Sequence, residues 1–316
     1  MEAVSIIGCG TMGHSIALSA AWAGMQVKVY GVNKEDIYNA EKGLQQKINI
    51  LCANDLFDEK KGLSIQQNIT LSDRLEDVIM DSSFIIEAIP EVLNLKKEMY
   101  KRIESIVNKH VVIASNTSGF KPSLLAEGMQ HPERLIVTHF WNPAHLIPLV
   151  EVVKGKDTDL ETVDRAMQVM KEMHKQPILL QKEIPGFIGN RLQYALFREA
   201  QSILDAGVAT KEDIDAAVTY SIGRRLPVTG PLMTADMGGL DVFVAISNYL
   251  FEDLSVMSQS GTVLTQLVED GKFGYKNGEG FYNWDIDFAT QKNIEREQTL
   301  IHFLKNDMKI RREGQQ

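Results

Sequence analysis

Two rhythms of hydrophobic and polar positions divide this chain. In the first, short β-rich apolar runs at 4–7, 26–30, 69–71, 83–89, 111–114, 135–137, 149–153 and 177–180 alternate with longer stretches. Residues 15–24, 36–53, 95–107 and 158–174 carry helical spacing, and a short helix starts at Lys121-Pro122-Ser123. The polar residues 54–63 read as a loop. Alternation of this kind predicts a parallel sheet flanked by helices. The second rhythm begins after Ile184-Pro185-Gly186. From there the spacing is helical at 187–206, 211–219, 242–254 and 289–312, with no further strand pattern. The glycine-rich residues 221–241 predict a mobile segment, and 271–284 a loop dense in glycine and aromatics. The expected architecture is an α/β domain over 1–184 followed by an all-helical domain over 185–316.

The first strand runs directly into Gly8-Cys9-Gly10-Thr11-Met12-Gly13, which opens the first helix. A lone GxGxxG says little. One that leaves a strand, opens a helix and precedes a second strand predicts a Rossmann-type dinucleotide site. Gly8 turns the chain, Gly10 lets the backbone approach a pyrophosphate, and Gly13 lets helix and strand pack closely. The helix N-terminus offers free N–H groups to the phosphates. Gly8, Gly10, Thr11, Met12 and Gly13 are therefore the candidate nucleotide contacts. The second strand ends differently from most NAD-binding domains, which place Asp or Glu there for the ribose hydroxyls. This chain has Gly31, followed by Asn33 and Lys34. A glycine neither binds a ribose nor repels a 2′-phosphate. Lys34 is then available to such a phosphate and Asn33 to a ribose hydroxyl, so the expected cofactor is NAD with NADP admissible. Replacement of the missing acid by Asn33, with NAD preferred, is the competing reading.

Residues 138–153, THFWNPAHLIPLVEVV, carry the candidate chemistry. Asn142-Pro143 reads as a turn between two apolar runs. Antiparallel pairing across it sets residue 137 opposite 153 and His139 opposite Glu151. A carboxylate beside an imidazole holds its tautomer and stabilises the imidazolium, which makes the histidine an oriented general base. The plain alternative is a hairpin with one polar residue at its mouth and one edge acid. The polar cluster at 115–119, SNTSG, lies at the C-terminal end of a strand, where open α/β sheets bind ligands. Ser118 is the candidate donor to a substrate oxygen. Glu87 interrupts an apolar strand and calls for a partner, with Lys96 on the following helix a candidate. Asn190, near the start of the first helix of the second half, is expected to face the first domain. The adjacent Arg224 and Arg225 can clamp a carboxylate or phosphate, although such pairs also make ordinary salt bridges.

Length and composition fit this reading. A chain of 316 residues suits two domains, and 44% apolar with 24% charged residues supplies ample core. A net charge of -9 disfavours nucleic acid as partner. No apolar run is long enough to span a bilayer, so no membrane role is expected. The two cysteines, Cys9 and Cys52, form no framework, which fits a reducing cytoplasm. The strand pattern begins within a few residues, leaving no room for a signal peptide. No ligand set stands at metal spacing.

Together these motifs resemble the 3-hydroxyacyl-CoA dehydrogenase family over nearly the full length. The supporting segments are the glycine loop at 8–13, FIIEAIPE at 84–91, SNTS at 115–118, HFWNP at 139–143 and LVEVV at 149–153. PGFIGNRL at 185–192, GP at 230–231 and GKFGYKNGEGFY at 271–282 extend the likeness into the second half. The resemblance implies an NAD-binding domain, a helical domain that dimerises, and reversible oxidation of a secondary alcohol. It implies His139 as base, Glu151 as its partner, and Ser118 and Asn190 near the substrate oxygen. It further implies nucleotide contacts from Glu91, Lys96 and Asn116 and a substrate contact from Asn142. Two departures stand out. Gly31 occupies the place of the family's ribose-binding Asp. AHLIPL at 144–149 differs from the PVMKL-type stretch of the acyl-CoA enzymes, and IPLVEV is closer to carnitine and gulonate dehydrogenases, whose substrates carry a free carboxylate and no CoA. GPLMTADMGGLD at 230–241, in contrast, resembles the hydroxybutyryl-CoA type. The implied substrate is a 3-hydroxyacyl-CoA of fatty acid metabolism or, alternatively, a small free 3-hydroxy acid. A non-catalytic, crystallin-like nucleotide-binding protein is the third reading.

Overall fold

Each apolar run expected as a strand forms one. The structure, a computed structural model, describes residues 2–313. Among these, β1 (Val4–Ile7), β2 (Val27–Tyr30), β3 (Ile69–Ser72), β4 (Phe84–Glu87), β5 (Val112–Ser115), β6 (Leu135–Phe140), β7 (Leu149–Lys154) and β8 (Gln176–Leu180) join one sheet. The strand order is β3-β2-β1-β4-β5-β6-β7-β8. Neighbours are parallel except β6 and β7, which pair antiparallel. The helices of this unit are α1 (Thr11–Trp22), α2 (Lys34–Ala53), α3 (Glu59–Gln67), α4 (Leu75–Ile79), α5 (Leu93–Glu104), α6 (Pro122–Leu125) and α7 (Leu160–Glu172).

The strands read as continuous apolar runs because both faces of the sheet are covered. Successive residues still alternate sides. Ile6, Phe84, Ile86, Val112 and Ala114 pack with α1, α2 and α7, while Ile7, Ile85 and Ile113 pack with α4 and α5. The stretch 54–63, expected as a loop, becomes helical at Glu59. Asp58 caps α3 by accepting a hydrogen bond from the Lys61 N–H at 2.7 Å, and the helix buries only Gly62 and Ile65. A local cap decides this helix, and its apolar stripe is too sparse to show in the pattern.

The acid that interrupts β4 is buried and saturated. Glu87 has 0% exposure. Its Oε1 accepts from Lys96 Nζ at 2.7 Å and from the Ile89 N–H at 2.9 Å. Its Oε2 accepts from Tyr100 Oη at 2.5 Å and Ser115 Oγ at 2.8 Å. The expected Glu87–Lys96 pair therefore exists, as the centre of a buried network rather than a surface contact. Beside the carboxylate and in a buried site, the Tyr100 hydroxyl is held far from ionisation: burial, then the Glu87 charge, push it well above the usual phenol range.

Residues Gly189–Glu295 form a second compact unit. It holds α8 (Gly189–Asp205), α9 (Lys211–Ala217), α10 (Gly223–Arg225), α11 (Pro231–Gly238), α12 (Leu240–Leu250), α13 (Thr262–Glu269) and the first part of α14 (Ile286–Glu313). The segment 221–241, expected to be mobile, is mostly helical. A π-turn at Val218–Ile222 passes into α10, where a Cβ on Gly223 would lie 2.8 Å from the Val218 carbonyl oxygen. Pro231 opens α11, and Gly239, at φ +91°, separates α11 from α12. Its glycines and prolines serve helix ends and close approach, not flexibility. The segment 271–284 is irregular as expected, closed by bridges from Glu279 to Gly274 and Asn283. From Arg296 onward the chain belongs to the first unit, where Leu300, Ile301, Leu304 and Met308 pack on the sheet's first apolar cluster. The first unit runs to Ile188 and also takes the end of α14.

Removing one partner of a buried ion pair strands the other charge and costs about 3–5 kcal/mol. Glu87→Ala is expected to lower the unfolding free energy in urea by that amount. Arg74→Ala, which breaks the exposed Arg74–Asp77 pair at 3.4 Å, should change it by less than about 1 kcal/mol.

Candidate active site

The glycine loop leaves β1 where it is needed. Gly8 has φ +103°, and its N–H bonds the Tyr30 carbonyl at 3.0 Å. A Cβ on Gly8 would lie 2.6 Å from the Ala88 carbonyl oxygen, and one on Gly13 only 1.7 Å from that of Gly8. These two glycines are therefore obligatory for the backbone to pass. Gly10 is different, with nothing within 4 Å of its would-be Cβ. It caps α1 without a side-chain acceptor. The first-turn N–H groups of α1 thus lack a side-chain partner beside open space, a cradle that fits a dinucleotide pyrophosphate.

Gly31 has a packing reason. A Cβ there would lie 2.8 Å from Cys9 Sγ and 3.0 Å from Ile37 Cγ1. The sulfur of the glycine loop occupies the space that an acidic residue's Cβ would need. Asn33 is already engaged: its Oδ1 accepts from the Asp36 N–H at 2.9 Å and caps α2, which begins at Lys34. The expected ribose contact from that oxygen is corrected accordingly. Lys34 is exposed in the first turn of α2 together with Glu35 and Asp36. Burial, then the Asp36 charge, push the Cys9 thiol up.

The hairpin carries the expected pair. β6 and β7 meet with Val137 opposite Val153 and His139 opposite Glu151. His139 Nδ1 lies 2.8 Å from Glu151 Oε2. Oε2 also accepts from Trp141 Nε1 at 3.3 Å, and Oε1 accepts from the Ile188 N–H at 2.8 Å. Glu151 is fully buried and His139 nearly so. With its Nδ1–H given to the carboxylate, the imidazole keeps Nε2 as its free basic atom. Trp141 and Phe187 flank the ring, at 5.5 and 5.6 Å between centroids. These supports were not assigned from sequence. Trp141 stands within the quoted HFWNP motif and Ile188 within the quoted PGFIGNRL, but neither motif shows by itself that these groups meet Glu151.

The loop at 115–119 is tied to both sides of the site. Asn116 Oδ1 accepts from the Phe140 N–H at 2.9 Å, next to His139. Glu91 Oε1 accepts from the Ser118 N–H at 3.0 Å and from Thr117 Oγ1. Lys96 holds Glu91 in turn at 3.2 Å, but its side chain is 1% exposed and bonded to Glu87 and the Ile89 carbonyl as well. Lys96 therefore orients Glu91, in place of the direct nucleotide contact expected of it. Ser118 and Asn142 are exposed. Asn190, in the first turn of α8, and Arg224 and Arg225, in α10, belong to the second unit. Arg224 and Arg225 are exposed, with the Arg224 guanidinium 5.1 Å over the Tyr220 ring.

A phosphate cradle at one strand end and an oriented histidine on the same sheet form the layout of a dinucleotide-dependent dehydrogenase. Comparison with known proteins agrees. The family model for the 3-hydroxyacyl-CoA dehydrogenase NAD binding domain matches residues 3–184, and that for the C-terminal domain matches residues 186–284. The chain belongs to the 3-hydroxyacyl-CoA dehydrogenase family, oxidoreductases with an NAD-binding domain. A relative from Mesorhizobium japonicum, 5-formyl-3-hydroxy-2-methylpyridine 4-carboxylate 5-dehydrogenase, is 32% identical over 298 residues, 94% of this chain and 96% of that protein. The mitochondrial hydroxyacyl-coenzyme A dehydrogenase of Sus scrofa is 32% identical over 288 residues, 89% and 90% of the two chains. A solved structure of 5-formyl-3-hydroxy-2-methylpyridine 4-carboxylic acid 5-dehydrogenase, an NAD+-dependent dismutase, matches with TM-score 0.91 and 31% identity over 98% of this chain and 99% of that one.

The contact between positions 9 and 31 sets up a two-step test. Gly31→Asp alone overpacks the loop and is expected to cost about 1–3 kcal/mol of stability. Combined with Cys9→Ala, it should fold normally and raise the preference for NADH over NADPH about tenfold in fluorescence titrations. An unchanged ratio in the double variant would show that position 31 does not govern cofactor choice.

Proposed function

We propose that this protein is an NAD-dependent dehydrogenase acting on the hydroxyl of a small acid that carries a free carboxylate. The chemistry rests on the 2.8 Å bond between His139 Nδ1 and Glu151 Oε2. Nε2 of His139 takes the hydroxyl proton as the carbonyl forms. Glu151 remains ionised and stabilises the imidazolium, with Trp141 Nε1 and the Ile188 N–H holding the carboxylate in place. NAD, when bound, accepts the hydride from the carbinol carbon. Ser118 and Asn190 are assigned to the substrate oxygen, Asn142 to the substrate, and Arg224 or Arg225 to its carboxylate. Glu91, Asn116 and the loop residues Gly8, Gly10, Thr11, Met12 and Gly13 are assigned to the nucleotide. NAD is preferred over NADP on the strength of the match to the family's NAD binding domain and the likeness to an NAD+-dependent enzyme.

The free-acid reading draws on the full-length likeness to a pyridine carboxylate dehydrogenase and on the IPLVEV segment. The second reading, a 3-hydroxyacyl-CoA substrate, is favoured by the equally extensive likeness to the Sus scrofa enzyme. An intact, buried His139–Glu151 pair speaks against a non-catalytic nucleotide-binding role. A homodimer through the helical unit is supported by its exposed apolar side chains, among them Leu232, Met237, Leu240 and Val244 on α11 and α12. The reducing cytoplasm suits the free Cys9 and Cys52.

Carnitine, gulonate and short 3-hydroxy acids assayed with NAD+, beside acetoacetyl-CoA with NADH and NADPH, decide between the readings. Turnover of the free acids is expected. Turnover confined to acetoacetyl-CoA would transfer the assignment to the acyl-CoA reading. His139→Gln should lower kcat by about 10²–10⁴-fold with nucleotide affinity retained. Retention of most activity would refute the base assignment. In sedimentation velocity, Leu240→Glu combined with Val244→Glu is expected to convert a dimer to a monomer.

A further inference from the structure

Apart from the nucleotide cradle and the catalytic hairpin, the first unit encloses a second feature with chemistry. A cavity of 280 Å³ lies between α1, the turn from α7 into β8, and the last turns of α14. Its walls are apolar, from Trp22, Met173, Leu304 and Met308. Its polar lining includes four bases, His145, His174, Lys175 and Arg311, and no carboxylate.

Lys175 is the informative residue. It is 8% exposed, and Nζ bonds only carbonyl oxygens, those of Ala144 and, at 3.3 Å, Ile147. Two neutral acceptors serve three N–H donors, and among the described residues no carboxylate pairs with Nζ. Burial, then the Arg311 charge, push the ammonium down to about 7. His174 sits in the left-handed region at φ +58°, a place usually left to glycine or asparagine. Burial, then Arg311 and Lys175, push it down. Arg311 Nη1 donates to the His174 carbonyl at 2.6 Å. Ser15 Oγ accepts from the His145 backbone N–H at 3.2 Å and lies 2.8 Å from its Nδ1. Burial, then the charges of Lys47, Lys175 and His14, push His145 down to about 3. Behind it, Lys47 Nζ lies 2.9 Å from His14 Nε2, and Glu297 is the acid whose charge reaches Lys47. Among the described residues, the titratable groups that line this cavity are all bases.

We propose that this cavity binds a small monocarboxylate with an apolar body, its carboxylate against Lys175 and Arg311 and its body against Trp22, Met173, Leu304 and Met308. A bare phosphate would leave the apolar walls uncovered, and a nucleotide exceeds the volume, which is below the roughly 300–1,000 Å³ of drug-sized sites. The carboxylate supplies the missing countercharge and draws a proton onto Lys175. Through the Ala144 and Ile147 carbonyls, Lys175 joins this site to the turn of the hairpin that carries His139 and Glu151.

Isothermal titration calorimetry of the full-length protein tests this with butyrate, benzoate and inorganic phosphate, in two buffers of different ionisation heat. Near pH 8 a carboxylate should bind one to one and take up close to one proton. Near pH 6, where Lys175 is already charged, the uptake should vanish. Arg311→Gln and Lys175→Met should each weaken binding about tenfold or more, and Lys175→Met should also abolish the proton uptake. His139→Gln should leave both unchanged. Binding without proton uptake, binding indifferent to Arg311→Gln, tighter binding of phosphate than of both acids, or no saturable binding would each overturn the proposal.

Discussion

A carboxylate with no exposure to water must have its lone pairs engaged by donors, or burial drives it neutral. Glu151 meets that demand with His139 Nδ1, Trp141 Nε1 and the Ile188 N–H. Two of these donors lie on the hairpin itself, and the third closes over it from the end of β8 onward. The demand fixes the register of β6 on β7, the antiparallel pair within an otherwise parallel sheet among the described residues. A slip of one residue would turn Glu151 into the apolar cluster that holds Val150 and Val152. Sheet edge, register and histidine orientation are therefore one constraint.

The same logic organises the neighbouring strand ends. Glu87 binds β4 to β5 through Ser115 and to α5 through Lys96 and Tyr100. Satisfying this buried acid makes Lys96 unavailable to solvent and leaves it to orient Glu91, which in turn holds the Ser118 N–H. Asn116 then ties that loop to the residue beside His139. The 115–119 loop is thus held by the buried Glu87 and the exposed Glu91, so that its exposed groups start from fixed positions. At the nucleotide end, Cys9 and Gly31 are one packing decision: the sulfur takes the volume that a side chain at 31 would need.

Much of this was legible along the chain. Short, continuous β-rich apolar runs identified the strands, because a strand covered on both faces must be apolar throughout. The glycines at 8 and 13 were readable because backbone approach within 3 Å excludes any Cβ. The His139–Glu151 pairing could be counted outward from the Asn142-Pro143 turn, since antiparallel register is local. Two readings failed for physical reasons. Residues 221–241 looked mobile because proline and glycine mark helix ends as readily as loops. The polar stretch before α3 concealed a helix whose cap, not its apolar face, defines it.

The sequence by itself determined the strand set, the dinucleotide loop, the His139–Glu151 pairing and the change to helices after residue 186, all of which follow from spacing over a few residues. Beyond the Glu87–Lys96 and His139–Glu151 pairs, only the tertiary structure decided what saturates each buried charge. The Ile188 N–H on Glu151, Tyr100 on Glu87, Cys9 against Gly31, and Trp22, His145, Lys175 and Arg311 around one cavity come from segments far apart in the chain. The return of α14 to the first unit belongs with these. Local pattern encodes which face a residue presents. Which distant group meets it there is set by packing, and no local period records that.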